Sequence, residues 1–169
     1  MGQRFFVVPA AGLLLRLFVI QHDCGHKSLF KTHRANDILR RCLSVLTLTP
    51  YGNWKAAHAR HHATSGNLDR RGIGDIETLT LEEYRSRSRL GRLRYRMHRH
   101  PFVIFGVGPS YQFFIRHRVP TGSAIKARGA WVATMITNAA ILTMFSSLCF
   151  AFGSATALIV HLPIVALAA

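Results

Sequence analysis

The sequence predicts an all-α integral membrane protein with several spanning helices, and three observations carry that prediction. The chain of 169 residues is 49% hydrophobic, and its apolar residues are gathered into long segments. It carries a formal net charge of +15, yet only Arg4 and Arg16 of its 22 Lys and Arg residues lie outside the stretch from Lys27 to Arg128. Residues 129–169 contain no Asp, Glu, Lys or Arg. This distribution favours a membrane protein and disfavours nucleic-acid binding, which needs no such uncharged segment.

The first predicted span covers residues 5–21, which are apolar and just long enough to cross a bilayer. A signal peptide is the alternative for an apolar segment in this position. Arg16 interrupts the segment, and no small-residue cleavage site precedes the sequence HDCGH at 22–26. A spanning helix is therefore the preferred interpretation.

Two apolar segments in the middle of the chain are predicted to enter the membrane interface without crossing it. Residues 42–51 are apolar but too short to span a bilayer. Residues 101–116 are interrupted by Gly106, Gly108 and Pro109, which disfavour a straight helix. Both segments suit an interfacial or re-entrant position, provided that their backbone groups are satisfied by protein or water.

An arginine-rich helix is predicted between those segments. Thr80 and Glu83 have the spacing of a capping box, in which each side chain satisfies a backbone N–H group at the start of the helix. The helix is expected to run to about Met97. Because it carries so many arginines, we expect it to lie on the membrane surface.

The uncharged C-terminal segment is long enough for two further spans, residues 130–150 and 154–169, with a break at Gly153–Ser154. By the positive-inside rule, the basic middle of the chain faces the cytoplasm. Of the two histidine-rich motifs, one directly precedes Lys27 and the other lies within this basic stretch. The three cysteines show no CxxC spacing, so they predict neither a disulfide framework nor a zinc site.

Two histidine motifs carry the strongest functional signal. In HDCGH, His22 and His26 are four residues apart and fall on one face of a helix. In HARHH, His58 can share a metal with either His61 or His62, which point about 100° apart. Imidazole suits iron, zinc, copper and nickel, and five grouped histidines favour a dinuclear centre over a closed four-ligand zinc site. A basic patch facing phosphate is the alternative for HARHH alone.

Other polar residues give weaker signals. Asp23 can accept a ring N–H from a neighbouring histidine beside a metal, although a surface role is equally compatible. His98 or His100 is an alternative additional ligand, and His161 is either a buried structural residue or a functional group within the membrane. Trp54 is expected to anchor at the membrane interface. Weaker candidates of the same kind as Asp23 are Asp69 and Asp75.

Three stretches together resemble the membrane fatty acid desaturase family, and most closely its bacterial acyl-lipid branch of Δ12 and ω3 enzymes. They are HDCGHKSLF, WKAAHARHHATSGNLDRRGIGDIETLTLEEY and GPSYQFFIRHRVP. The resemblance covers nearly the whole chain and implies a desaturase domain over residues 1–169 in a bacterial inner membrane. It also implies a cytoplasmic diiron centre held by three histidine boxes. The residues that match the first two boxes are His22, His26, His58, His61 and His62.

The chemistry that the resemblance implies is the O2-dependent introduction of a double bond into a lipid acyl chain. Desaturation supplies only two of the four electrons that reduce O2 to water, and no flavin, haem or dinucleotide motif is visible in the sequence. The remaining electrons would come from a partner such as ferredoxin or a b-type cytochrome. The basic surface would either dock that partner or simply face anionic headgroups.

The sequence departs from the family pattern in one respect. The third box, a second HxxHH motif, is absent, because no two histidines are adjacent after His62. The chain is therefore interpreted as a truncated member whose two-iron centre is incomplete. Two alternatives remain open: a related diiron membrane hydroxylase that uses similar boxes, and a non-catalytic truncated membrane protein.

Overall fold

A computed structural model describes residues 6–71 and 76–168, which form helices and connecting loops without any β-strand. Asp75 lies outside the described residues. The prediction of an all-α fold is thus confirmed for the described part of the chain. Its α-helices are α1 (Val7–Gly25), α2 (His33–Leu46), α3 (Tyr51–Thr64), α4 (Leu81–Ser86), α5 (Arg89–His98), α6 (Gly108–Phe114), α7 (Arg128–Phe152) and α8 (Ser154–Ala168).

Two of these helices, α1 and α7, are long and apolar enough to cross a membrane. At 1.5 Å per residue they are about 28 and 37 Å long, against a hydrocarbon core of about 30 Å. The 15-residue α8 is apolar but shorter, and it packs against both α1 and α7. The chain breaks between α7 and α8 at Gly153, whose φ of 82° favours glycine. The break falls where the sequence predicts it.

The apolar segment 42–51 does not form a separate element in the structure. Its first half is the end of α2, and its last residue begins α3. Thr32 starts α2 ten residues earlier, where its hydroxyl accepts a hydrogen bond from the Ala35 N–H at 3.3 Å. The apolar residues therefore belong to a largely polar helix that buries one face. The buried residues of that face are Asn36, Arg40, Leu43 and Ser44.

The predicted single helix from Thr80 to Met97 is wrong, because two shorter helices take its place. The capping box is present, with Thr80 and Glu83 each bonding the other's backbone N–H. However, α4 ends after one and a half turns, at Arg87, which has an extended backbone. Ser88 then caps α5, and its hydroxyl accepts a hydrogen bond from the Gly91 N–H at 3.1 Å. A second capping residue inside the segment thus divides it.

Residues 101–116 form a π-helix over Val103–Val107 that continues into α6. At Gly108 a side chain would place its Cβ 2.8 Å from the Val103 carbonyl oxygen, so only glycine fits this wider turn. The glycines that disfavoured a straight helix in the sequence mark the change of helix type in the structure.

One arginine fixes the turn between α2 and α3 against α7. The Arg118 guanidinium donates to the Asn138 Oδ1 atom at 3.0 Å and also to the Leu48 carbonyl oxygen. The Asn138 amide donates back to the Arg118 carbonyl oxygen at 2.8 Å. Because α3 starts directly after this turn, the contact sets the position of α3 beside the spanning helices.

Candidate metal centre

Four histidines from two helices meet at one end of the helical bundle. His22 and His26 lie on the last turn of α1 and just beyond it, and His58 and His62 lie on α3. One ring nitrogen from each of the four lies within 4.8 Å of those of the other three. The i, i+4 spacing of each motif places its two rings on one face, and the packing of the chain brings the two faces together.

The closest approaches in this four-histidine cluster centre on His58. Its Nε2 atom lies 3.1 Å from the Nε2 atom of His26 and 3.0 Å from that of His62. The His22 ring centroid is 4.7 Å from that of His58. Nitrogens this close converge on a common point, which is the geometry that several ligands to one ion require.

The surroundings of two rings of the cluster, His58 and His26, favour their neutral form. Burial and the neighbouring rings of His22, His62, His26 and His61 lower the pKa of His58 to about 4. Burial and two neighbouring histidines also lower the pKa of His26. At pH 7 both rings are therefore uncharged, and neutral imidazole is the form that donates a lone pair to a metal.

The other predicted ligand of the second motif lies apart from this cluster. The ring centroid of His61 is 6.2 Å from that of His58 and 5.5 Å from that of His62, and its nitrogens are not among the four that converge. The predicted outer carboxylate, Asp23, places its Oδ1 atom 3.3 Å from the Nδ1 atom of His22. It is thus in position to orient that ring from behind.

Trp54, which the sequence predicts to anchor at the membrane interface, contacts the four-histidine cluster directly. Its indole stacks on the His58 ring, with centroids 4.3 Å apart and planes inclined by 15°. Its ring edge faces Gly25, where an added Cβ would lie 3.0 Å from the indole Cζ3 atom. The glycine of HDCGH therefore leaves room for the tryptophan that supports His58. The four-residue spacing from Trp54 to His58 was the available signal, since it places both on one helical face.

The histidines outside the two motifs do not join the cluster. His98, the last residue of α5, and His100 beyond it are exposed, and the His100 Nδ1 atom accepts a hydrogen bond from the Phe102 N–H. His117 is buried, with its Nε2 atom 2.9 Å from the Gln112 Nε2 atom. His161 lies on α8 beside Phe145, with ring centroids 6.1 Å apart.

A small apolar cleft lies between α1, α6 and α8. It is lined by Leu14, Phe18, Thr47, Phe113, Val165 and Ala168. Phe18 is one helical turn before His22, and its ring lies 6.1 Å from that of Trp54. A continuous path of side chains thus joins the apolar cleft to the histidines.

Comparison with known proteins shows the family of this chain. The family model for fatty acid desaturases matches residues 4–169. A fatty acid desaturase of Bacillus subtilis (strain 168) is 48% identical over 158 residues, which are 93% of this chain and 44% of the relative. The chain belongs to the fatty acid desaturase family. It spans less than half of the length of that bacterial desaturase.

Two more distant relatives have names that state an electron donor or a reaction. An sn-1 acyl-lipid omega-3 desaturase (ferredoxin) of Nostoc sp. (strain 36) is 29% identical, over 68% of this chain and 32% of that protein. An oleoyl-12-hydroxylase of Ricinus communis is 40% identical, over 34% of this chain and 15% of that protein. No solved structure matches the chain.

Proposed function

We propose that this chain forms part of a membrane desaturase that introduces a double bond into a lipid acyl chain with O2 as the oxidant. The observation that carries the proposal is the four-histidine cluster beside an apolar cleft, in a chain of the desaturase family. The acyl chain would lie in the cleft between α1, α6 and α8, where Phe18 leads towards His22.

The four-histidine cluster fits a metal ion in its chemistry as well as in its geometry. Its donors are neutral imidazole nitrogens, which suit iron and add no negative charge beside lipid. His22, His26, His58 and His62 would hold the ion, and Asp23 would orient His22. Iron bound there would supply the O2-activating oxidant that removes two hydrogens from unactivated methylene groups.

The side chains around the cluster would hold the ligands and exclude water. Trp54 stacks on one face of His58 and restricts its ring to the orientation that faces the other histidines. Phe18 and Phe113, whose centroids are 6.0 Å apart, separate the cleft from the cluster with apolar surface. Such packing would keep the reacting methylene groups in a dry environment.

The described residues provide ligands for one ion more readily than for two. Among the described residues four ring nitrogens converge, and His61 is not one of the four, its ring centroid being 6.2 Å from that of His58. A diiron centre would need His61 together with donors beyond those that the structure brings together. We therefore expect the purified chain to bind about one iron or less, and elemental analysis by mass spectrometry tests this. Two irons per chain would show that His61 is drawn into a second site.

The membrane placement and the electron donor belong to the same proposal. We place α1 and α7 across a bacterial inner membrane, with the histidines at the cytoplasmic side, because the basic residues are concentrated there. The donor would be ferredoxin or a b-type cytochrome, and the name of the Nostoc relative supports ferredoxin. It would supply the two electrons that the acyl chain does not.

The decisive experiment is product analysis in a bacterial host that makes no polyunsaturated lipid. A protein containing this chain should yield new double bonds, detected by mass spectrometry of the fatty acid methyl esters, only when air is present. The matched control is His58→Ala, which should abolish the product. Undiminished product from His58→Ala would refute the cluster as the catalytic metal site. Hydroxylated products would instead favour the alternative that the Ricinus relative suggests.

A further inference from the structure

The arginine-rich hairpin of α4 and α5 has an apolar stripe that faces away from the rest of the protein. Leu90, Leu93 and Met97 lie at positions i, i+3 and i+7 of α5 and therefore share one face. Their exposed fractions are 76%, 52% and 60%. A stripe of three large apolar side chains on one helix is an unusual surface to leave in water.

The opposite face of α5 is the one that packs against the protein. The Tyr95 hydroxyl accepts a hydrogen bond from the Leu79 N–H at 3.2 Å, and its ring lies 5.8 Å from that of Tyr84. The Arg96 Nε atom donates to the Tyr84 hydroxyl at 2.7 Å. These contacts fix the rotation of α5 about its axis, so the outward direction of the apolar stripe is set by the fold.

The arginines of the hairpin divide into two groups. Arg87 and Arg99 are used internally, since they bond the Glu77 side chain at 2.7 Å and the Glu77 carbonyl at 3.1 Å. Arg89 and Arg94 are exposed and make no hydrogen bond or ion pair with any residue in 6–71 or 76–168. They lie on either side of the apolar stripe, because they precede and follow its members by one position.

We propose that α5 lies in the headgroup layer of the membrane, with its apolar stripe inserted among acyl chains and Arg89 and Arg94 bound to anionic phospholipid headgroups. A short helix with an apolar face bordered by arginines is the arrangement that binds anionic bilayer surfaces. An acidic protein partner would complement the charge of the arginines, but its charged surface would not complement the three exposed apolar side chains between them. The exposed Phe102 and Phe105 after α5 extend the same apolar surface.

This inference does not depend on the redox chemistry of the histidines, so its test needs no activity. The full chain is reconstituted in lipid nanodiscs, made either of phosphatidylcholine alone or with about 30% phosphatidylglycerol. Backbone hydrogen–deuterium exchange of residues 89–98 is then followed by mass spectrometry. Exchange should be about 25-fold slower in the anionic nanodiscs, because each of the two arginines near an anionic surface contributes roughly a factor of five in binding. The double variant Arg89→Gln/Arg94→Gln should lose this difference.

A pair of tryptophan variants tests which face is inserted. Leu93→Trp places the probe on the apolar stripe, and His98→Trp is the matched control, turned by about 140° from Leu93 around the same helix. Bromine-labelled acyl chains should quench the added fluorescence at position 93 at least twofold more than at position 98. Equal quenching at both positions, or exchange rates that do not respond to lipid charge, would overturn the proposal. Protection that arises only on adding an acidic ferredoxin would assign the surface to the electron donor and would also overturn it.

Discussion

Gly25 lies where the end of α1 meets the indole ring of Trp54. A Cβ atom at this position would lie 3.0 Å from the Cζ3 atom and 3.4 Å from the Cη2 atom of that ring. The ring cannot retreat freely, because its other face stacks on His58. The absence of a side chain at Gly25 therefore helps to set the position of His58, a candidate metal ligand on a different helix.

We predict that Gly25→Ala lowers the affinity of the chain for metal by about tenfold, which is the usual scale for losing support behind a ligand. The added methyl group pushes Trp54 and, through it, His58 away from the other histidines. Calorimetric titration of the purified chain with Co²⁺ measures the change. Gly12→Ala in the same helix is the control, because its Cβ has no atom within 4 Å and should leave the affinity unchanged. Equal affinities for the two variants would contradict the role of Gly25.

His117 makes a second prediction, which concerns pH. Burial and the charges of Arg118 and Arg116 lower the pKa of this ring to about 4, whereas an unfolded histidine titrates near 6.5. Between pH 6.5 and 4, His117 is protonated in the unfolded chain but stays neutral in the folded chain. The neutral His117 ring therefore costs no stability above pH 6.5. As the pH falls from 6.5 towards 4, the free energy of unfolding decreases by on the order of 3 kcal/mol.

Replacing the ring by a side chain that does not titrate should remove this loss. The detergent-solubilised His117→Gln variant should lose less stability than the parent chain between pH 6.5 and 4, measured by thermal unfolding at several pH values. His33→Gln, at an exposed position of α2, serves as the control and should follow the parent. A His117→Gln profile that is parallel to the parent profile would disprove the assignment.

At the scale of elements, what the sequence predicted correctly was local. The pairing of His22 with His26 and of His58 with His62 follows from four-residue spacing, which any helix enforces. The separation of His61 from the four converging rings depends on how α3 is rotated against α1, and that rotation depends on packing between distant parts of the chain. Packing and capping outside the segment also explain the outcome for residues 42–51. Their first half belongs to α2, which begins at a capping residue ten positions earlier.

The rotation of α1 is held by a buried glutamine next to the first histidine motif. Gln21 is completely buried, and its Nε2 atom donates to the Thr49 carbonyl oxygen at 3.5 Å. Its Oε1 atom accepts a hydrogen bond from the Thr47 hydroxyl. Both partners lie in the turn between α2 and α3, so one side chain connects the helix that carries His22 to the start of the helix that carries His58.

We predict that Gln21→Leu destabilises the folded chain by about 1 to 3 kcal/mol, because the polar groups of the turn lose a buried partner. The position of α1 relative to α3 should loosen at the same time, so that the affinity for Co²⁺ also falls. Chemical unfolding and metal titration measure the two effects. Thr143→Val on α7 removes an exposed hydroxyl that bonds within its own helix, and it should change neither quantity by much. Comparable losses of stability and of Co²⁺ affinity in both variants would show that the Gln21 contact does not position α1 against α3.

Across the whole molecule, charge and apolar surface are separated along the direction of α7. The first turn of α3 packs near the start of this helix, where an added Cβ at Gly52 would lie 3.4 Å from that of Ala133. The four histidines meet beside α3, because His58 and His62 lie on it and His22 and His26 lie at the end of α1. From Gly129 onwards, through the rest of α7 and all of α8, no Asp, Glu, Lys or Arg occurs. This distribution predicts that the two ends of α7 face different environments.

This separation predicts which residues are reached from each side of the membrane. Cys42 is exposed on α2, and Ser154 is exposed at the far end of α7. In a Cys149→Ala background, a membrane-impermeant maleimide should label Ser154→Cys in intact spheroplasts and should label Cys42 only in inverted vesicles. Cys24 is fully buried and provides an internal standard for unreactive thiol. Labelling of both positions from one side would show that α7 does not cross the membrane. The reverse pattern would place the histidines outside the cytoplasm, away from a soluble cytoplasmic electron donor.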